Sequence, residues 1–236
     1  MSEDSAQVRV NFRSPFPLFP LERVTLLPHA MRPLVIFEDR YRQMVEHVLD
    51  GSGQIAMAVF QGLEWKQDYQ GTPPLRPAVC VGRIYQHERV PDGRFQIVLQ
   101  GICRARILEE HHPEGERLYR QAVLEPTDTH PIDETSLAAA RESILRLLGS
   151  EPLTELKAGQ EIRNQLREPR VPTSAALEII TMSVLTDTPT QYRLLAEGSA
   201  PRRAEIVEQE LQRLAAAIDS AKRQADPDAP RGVVWN

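Results

Sequence analysis

The hydrophobic period of this chain changes near residue 126, and that change constrains its fold more than any single motif. Upstream, short apolar runs alternate with turn formers, the pattern of strands. Downstream, apolar residues recur at helical spacing. Between them lies Pro126-Thr-Asp-Thr-His-Pro-Ile-Asp-Glu134, whose two prolines and polar turn formers suit the interior of neither element. The pattern predicts an α+β protein, with a β-rich subdomain over 14–125 followed by a helical subdomain, a bundle, over 134–225. Residues 1–13 and 226–236 read as flexible tails, with Trp235 in the second either docked or free.

Within the first part, the opening run is apolar but broken by Pro15, Pro17, Pro20, Pro28 and Pro33. Proline cannot donate to a sheet ladder, so these strands must be short or lie at edges. A helix follows: Asp39 is placed to cap it, Tyr41, Met44, Val45 and Val48 share one face, and Gly51 ends it. Ile55–Phe60 reads as a strand, and the stretch from Gln61 to Pro77 as a long exposed loop. The strongest local signal is Pro91-Asp92-Gly93 between two strand-like runs, because proline presets one turn dihedral and glycine accepts a positive φ. Gly101 then permits a bend, Ile102–Glu110 continues as a strand, and Tyr119–Leu124 is the last. Five to seven short strands with one helix suggest a curled pseudo-barrel.

The second part is helical. Leu137, Ala140, Ile144 and Leu148 form one stripe, ended by Gly149, and a further helix is expected over Leu153–Leu166. Another opens at Thr173 or Ser174 with Leu177, Ile180 and Val184 inward, and Thr188-Pro-Thr-Gln191 reads as a capping box. In the last helix Val207, Leu211, Leu214 and Ile218 form a stripe, read as the seam of an intramolecular bundle, with a homodimer as the alternative.

Chemistry is mostly excluded. Only three of 28 basic residues are lysines, Lys66, Lys157 and Lys222, and none stands in a phosphate-binding loop or beside a serine as a desolvated base. His111 and His112 are adjacent on a strand and so point to opposite faces, and the remaining histidines, His29, His47, His87 and His130, are scattered. Glu109, Glu110, Glu114 and Glu116 read as a solvated rim, with no apolar pocket to separate their pKa values. Arg104 and Arg106 project from one face, forming either an anion clamp or cross-strand pairs with acidic neighbours. Cys80 and Cys103 are too few for a disulfide framework or a zinc site and fit a reducing compartment. No cofactor, metal or catalytic residue is expected. The net charge of −5 is spread over both parts, which argues against nucleic-acid partners. With no secretory signal and no apolar run of membrane length, the expected location is the cytoplasm.

Several segments, in order, resemble the amino-terminal substrate-binding domain of Lon proteases. They are the run from Phe19 to Phe37 with its Pro-Leu strand, the helix from Asp39, Ile55–Val59, Val81–Ile84, and Leu99-Gln-Gly-Ile-Cys-Arg-Ala-Arg-Ile107 after the Pro-Asp-Gly turn. The match is good over 16–125 and looser after 170, and 126–170 follows no family motif. The resemblance implies a PUA-like pseudo-barrel followed by helices, here as a stand-alone member without ATPase or peptidase parts. It implies a non-catalytic module binding unfolded or exposed polypeptide segments, a quality-control adaptor whose partner is an ATP-dependent protease or unfoldase. RNA binding through the PUA-like fold is the alternative.

Overall fold

The computed structural model describes residues 9–225, apart from 23, 70, 129 and 130. By contact the chain forms two units: residues up to Pro131 together with Thr186–Ser199, and Ile132–Leu185 together with the chain from Ala200 onward.

The first unit holds strands β1 (Phe16–Leu21), β2 (Met31–Ile36), β3 (Gln54–Val59), β4 (Ala78–Arg89), β5 (Phe95–His111) and β6 (Gln121–Pro126), with helices α1 (Asp39–Leu49) and α5 (Thr188–Ala196). The strand order is β2-β5-β4-β3-β1-β6, and β6 also pairs with β5, so the sheet closes on itself. The length of β5 makes closure possible. One side of it pairs with β4, while the other takes β2 along Phe95–Gln100 and β6 along Ala105–His111. Register shifts at Val81/Gly82, Ile84/Gln86 and Ile107/Glu109 add the local twist and bend that curling requires. Inside lie Leu18, Ala56, Val79, Val81, Ala105 and Leu124, all buried.

The expected hairpin is present, but Gly101 does not interrupt it: β5 runs through as one strand. The glycine serves a different purpose. Gly82 and Gly101 face each other across β4–β5, and the buried loop of Leu26, Leu27 and Pro28 packs into the space they leave. A Cβ on Gly101 would lie 2.0 Å from the carbonyl oxygen of Leu27.

Of the two places open to a proline-broken strand, β1 takes the first: it has 6 residues and is not at an edge. β1 lies between β3, to which it is parallel, and β6. Leu18 N donates to Arg120 O, and Phe60 N donates to Leu21 O, so even positions face β6 and odd ones face β3. Pro20 therefore faces β6 beyond the Phe16–Pro17 stretch that β6 pairs, and Pro17 faces β3 before that pairing starts at Leu18. Each missing donor falls where no strand needs it.

Helix α1 buries Tyr41, Met44, Val45 and Val48 as its spacing dictates, but Asp39 is not its cap. Glu38 holds the N-cap position without a side-chain bond, and Asp39 pairs with Arg42 at 2.5 Å. The expected first tail is attached as far as residues 9–13 are described: Gln54 Nε2 donates to Arg9 O at 2.8 Å, and the Phe12 ring meets Phe16. The rest of both tails, Trp235 included, lies outside the described residues.

Helix α5 belongs with the sheet by its contacts, although in sequence it lies between helices of the other unit. The Tyr192 hydroxyl accepts from Ala78 N at 2.8 Å, and the buried Arg104 donates from Nε to Leu194 O at 3.2 Å. Its cap is Asp187, which accepts from Thr190 N at 2.9 Å, and Gln191, expected to close a capping box, is buried. The capping rule holds one residue upstream of the expected place.

The second unit contains α2 (Ala138–Leu148), α3 (Lys157–Leu166), α4 (Thr173–Ser183) and α6 (Ala200–Ala225). The helix expected over 153–166 is broken: Leu153–Glu155 forms a 3-10 turn and Leu156, extended, precedes α3. Val207 and Leu211 of α6 are fully buried, and α6 contacts α2 and α4, so this half of its stripe faces an intramolecular bundle, whereas Leu214 and Ile218 are half-buried. Two side chains from the 126–170 region organise the loop before α4. Arg141 donates to Leu166 O at the end of α3, an orphan acceptor of that helix, and to the carbonyls of Glu168 and Val171 in the loop that follows. The Glu134 carboxylate accepts from Thr173 N at 2.7 Å, Ser174 N at 3.1 Å and Ser174 Oγ at 2.5 Å, capping α4 from 39 residues away.

Burial alone would raise the pKa of Glu134, but the bonds from Ser174 and Thr173 outweigh it and hold the carboxyl below its ordinary 4.5. A lowered folded-state pKa adds stability above the unfolded pKa and loses it as pH falls through the folded value. Glu134→Gln is therefore expected to destabilise the second unit near neutral pH. It should also flatten the loss of stability below about pH 4.5 relative to wild type, read by urea denaturation at a series of pH values.

Candidate functional site

The residues singled out from the sequence do not converge. Lys66, Lys157 and Lys222 are exposed; Lys66 lies over the Trp65 ring and Lys222 pairs with Glu155. None has the desolvated surroundings that would make it a base. His47 Nδ1 lies 3.1 Å from the Tyr119 hydroxyl, His111 lies 3.7 Å from Glu109, His29 and His87 are exposed, and His130 lies outside the described residues. Among the described residues no group of three His, Cys, Asp or Glu side chains could hold a metal ion. Neither Cys80 nor Cys103 forms a disulfide; burial, with Asp128 nearby, pushes the Cys103 thiol up to about 11, where little nucleophilic thiolate exists at neutral pH.

Arg104 and Arg106 do not form a clamp. Arg104 is buried, bonded to Leu194 O and 3.4 Å from Asp128, whereas Arg106 is exposed and pairs with its cross-strand neighbour Glu125 at 2.6 Å. The two share the face opposite Cys103, Ala105 and Ile107, which pack against the core, but α5 covers Arg104 and leaves Arg106 open. Cross-strand pairing accounts for Arg106. The acidic rim is split as well: Glu114 and Glu116 are solvated, but Glu110 pairs with the buried Arg120, whose Nη1 also donates to Pro73 O.

The loop from Gln61 to Pro77 is held down rather than free. Trp65 stacks on Phe60 at 5.3 Å, and the Tyr69 hydroxyl donates to Glu38 at 2.5 Å, which leaves Leu63 as its one strongly exposed large apolar side chain. A cleft of about 410 Å³ runs past Leu18, Pro20, Tyr41, Leu118, Arg40 and Arg120. Its two guanidinium groups are already matched by Glu38 and Glu110, so it presents no unbalanced charge to an anion.

What the fold does assemble is an apolar face at the end of the sheet. On β2, Met31, Pro33 and Val35 point outward, level with Gln100, Val98 and Gln96 of β5, and Gln86 and Glu88 of β4 continue the rows. Met31 is 44% exposed, Val35 52% and the following Phe37 63%. A groove of about 240 Å³ lies along Pro33, Val35, Val98, Gln86, Glu88 and Gln96. Small-molecule sites are typically about 300–1,000 Å³ and enclosed, so this open groove suits side chains of a larger partner. The sequence carried a signal for it, since in the run from Met31 to Phe37 both alternating sets of positions are apolar except Arg32.

Residues 15–213 match the family of the ATP-dependent protease La (LON) substrate-binding domain. The chain belongs to that family. The Lon protease of Desulfosudis oleivorans is 30% identical over 90 residues, 38% of this chain and 11% of that protein. The Lon protease of Escherichia coli is 28% identical over 95 residues, 40% of this chain and 12% of its own length. The chain thus spans little more than a tenth of these curated relatives. Among solved structures, the Lon N-terminal domain protein from Xanthomonas campestris superposes with a TM-score of 0.55 at 18% identity, covering 81% of this chain and 95% of its own. The N-terminal domain of Mycobacterium avium complex Lon protease gives 0.63 at 15% identity, covering 84% and 98%. The α+β fold expected from the sequence is thus that of the Lon N-terminal domain. No helix among the described residues is long and apolar enough to cross a membrane.

Proposed function

We propose that this chain is a non-catalytic module that binds exposed segments of unfolded polypeptides, using the outer face of β2, β5 and β4. The observation that carries the reading is the row Met31, Pro33 and Val35. These are apolar side chains left open to water beside Val98 and rimmed by Gln86, Glu88, Gln96 and Gln100. Apolar surface of this kind gains free energy when a partner covers it, and the amides around it have hydrogen bonds to offer an incoming backbone. Family membership supports polypeptide as the ligand class. The natural partner in this reading is an ATP-dependent protease or unfoldase that acts on what the module holds.

Met31→Asp and Val35→Asp place a charge on the face at positions already in contact with water, so stability should change by less than about 0.5 kcal/mol. Their affinity for a carboxymethylated, permanently unfolded protein, read by fluorescence anisotropy, is expected to fall about tenfold, or about 1.4 kcal/mol. Unchanged affinity in both folded variants would remove the face from consideration.

A further inference from the structure

Strand β2 forms an open edge: among the described residues it pairs with β5 alone. Two hydrogen bonds determine which of its backbone groups face outward. Gly101 N donates to Ala30 O at 2.9 Å, so every second pair along the antiparallel register exchanges hydrogen bonds: Arg32/Leu99, Leu34/Ile97 and Ile36/Phe95. At the other end, Val90 N donates to Arg94 O at 2.9 Å, which directs Gln96 and Val98 toward β4 and leaves Phe95 and Ile97 for β2. Both bonds give the same alternation. The groups on the open side are therefore those of Met31, Pro33 and Val35.

Met31 and Val35 each present an N–H and a C=O. Pro33, midway between them, presents a carbonyl only, and where a donor would stand it has a ring carbon. Without it, this edge would favour pairing: its outward side chains are uncharged, apolar and half exposed. A second copy of β2 approaching about a two-fold axis would set Pro33 against Pro33, losing both donors of the central pair and bringing two rings together.

We propose that Pro33 is the residue that closes this edge to strand addition by a second copy of the chain. The inference is independent of polypeptide binding, since its readouts are self-association and amide protection. Pro33→Val restores the N–H and adds a strand-favouring side chain on a surface already facing water. Across a dilution series in light scattering, its weight-average mass should rise with concentration to roughly twice that of wild type. In hydrogen exchange, the amides of residues 33 and 35 should become protected only at the high-concentration end. Pro33→Ala, which restores the donor without the branched side chain, should behave in the same direction. Adding Val35→Lys to Pro33→Val should return the mass to the wild-type value, because a lysine on an edge strand resists pairing. The proposal is overturned if folded Pro33→Val and Pro33→Ala show the wild-type mass throughout. It is equally overturned if they associate while the amides of residues 33 and 35 stay unprotected.

Discussion

Gly101→Ala is expected to destabilise the first unit by about 3 kcal/mol or more, the upper end of overpacking costs. The added methyl would lie 2.0 Å from Leu27 O and 2.7 Å from Leu27 C, and neither can yield as a flexible side-chain end would. Relief requires moving the buried Leu26–Pro28 loop, whose leucines are fully enclosed, or opening β4 from β5 where Gly82 faces Gly101. Each enclosed leucine contributes about 1.5–3 kcal/mol through burial, so displacing the loop is no cheaper than the clash. A control is Gly115→Ala. That glycine has a φ of +59° and nothing within 4 Å of the added carbon, so it should cost only the 1–2 kcal/mol of left-handed backbone. Urea midpoints of the two variants would decide the matter: comparable losses would mean that the close approach of Leu27 to the sheet is not a constraint.

Removal of Glu178 should cost at least as much in the second unit. Arg203 of α6 and Glu178 of α4 are 1% and 4% exposed at their side chains, and Arg203 Nε lies 3.4 Å from Glu178 Oε1. Taking one ion from a buried pair leaves the other desolvated, a loss of about 3–5 kcal/mol, whereas replacing both by apolar side chains of similar size is often neutral. Glu178→Leu alone is thus expected to lower stability by that amount. The double variant Glu178→Leu with Arg203→Met should recover most of it in a double-mutant cycle of denaturation free energies. If Glu178→Leu cost less than about 1 kcal/mol, the pair would not be desolvated as its burial implies.

Much of the fold was legible because it rests on local rules. The Pro91-Asp92-Gly93 turn, the apolar face of α1 and the buried Val207–Leu211 half of the α6 stripe are each set by residues within a few turns or strand positions of one another. Arg106 paired with Glu125 as a strand neighbour should. The misreadings share a different origin. Asp39 and Thr188 are good capping residues by type, yet Glu38 and Asp187 hold those positions. The cap of α4 comes from Glu134, far away in sequence, where no capping-box spacing could reveal it. Arg104 looked like a surface partner of Arg106 until α5, from the far end of the chain, covered it with Leu194 O.

The candidate site was harder still. The stretch from Gln61 to Pro77 read as an exposed loop, but Phe60 takes its Trp65 ring by stacking, and such a contact cannot be read from spacing. The run from Met31 to Val35 is apolar at every position but Arg32, and its proline was compatible with a short strand or an edge. Whether such a strand is central or at an edge depends on which strands arrive beside it.

By itself, the sequence determined the division into strands then helices, the hairpin and the buried faces, because periodicity and turn chemistry act over short separations. Tertiary structure alone decided that β1 lies parallel to β3, that β5 is long enough to close the sheet through β6, and that β2 is left with one open side. Those outcomes depend on hydrogen-bond partners supplied by distant segments. A backbone donor has the same chemistry whether its partner is a strand, a loop or water, so the residues alone do not name the neighbour.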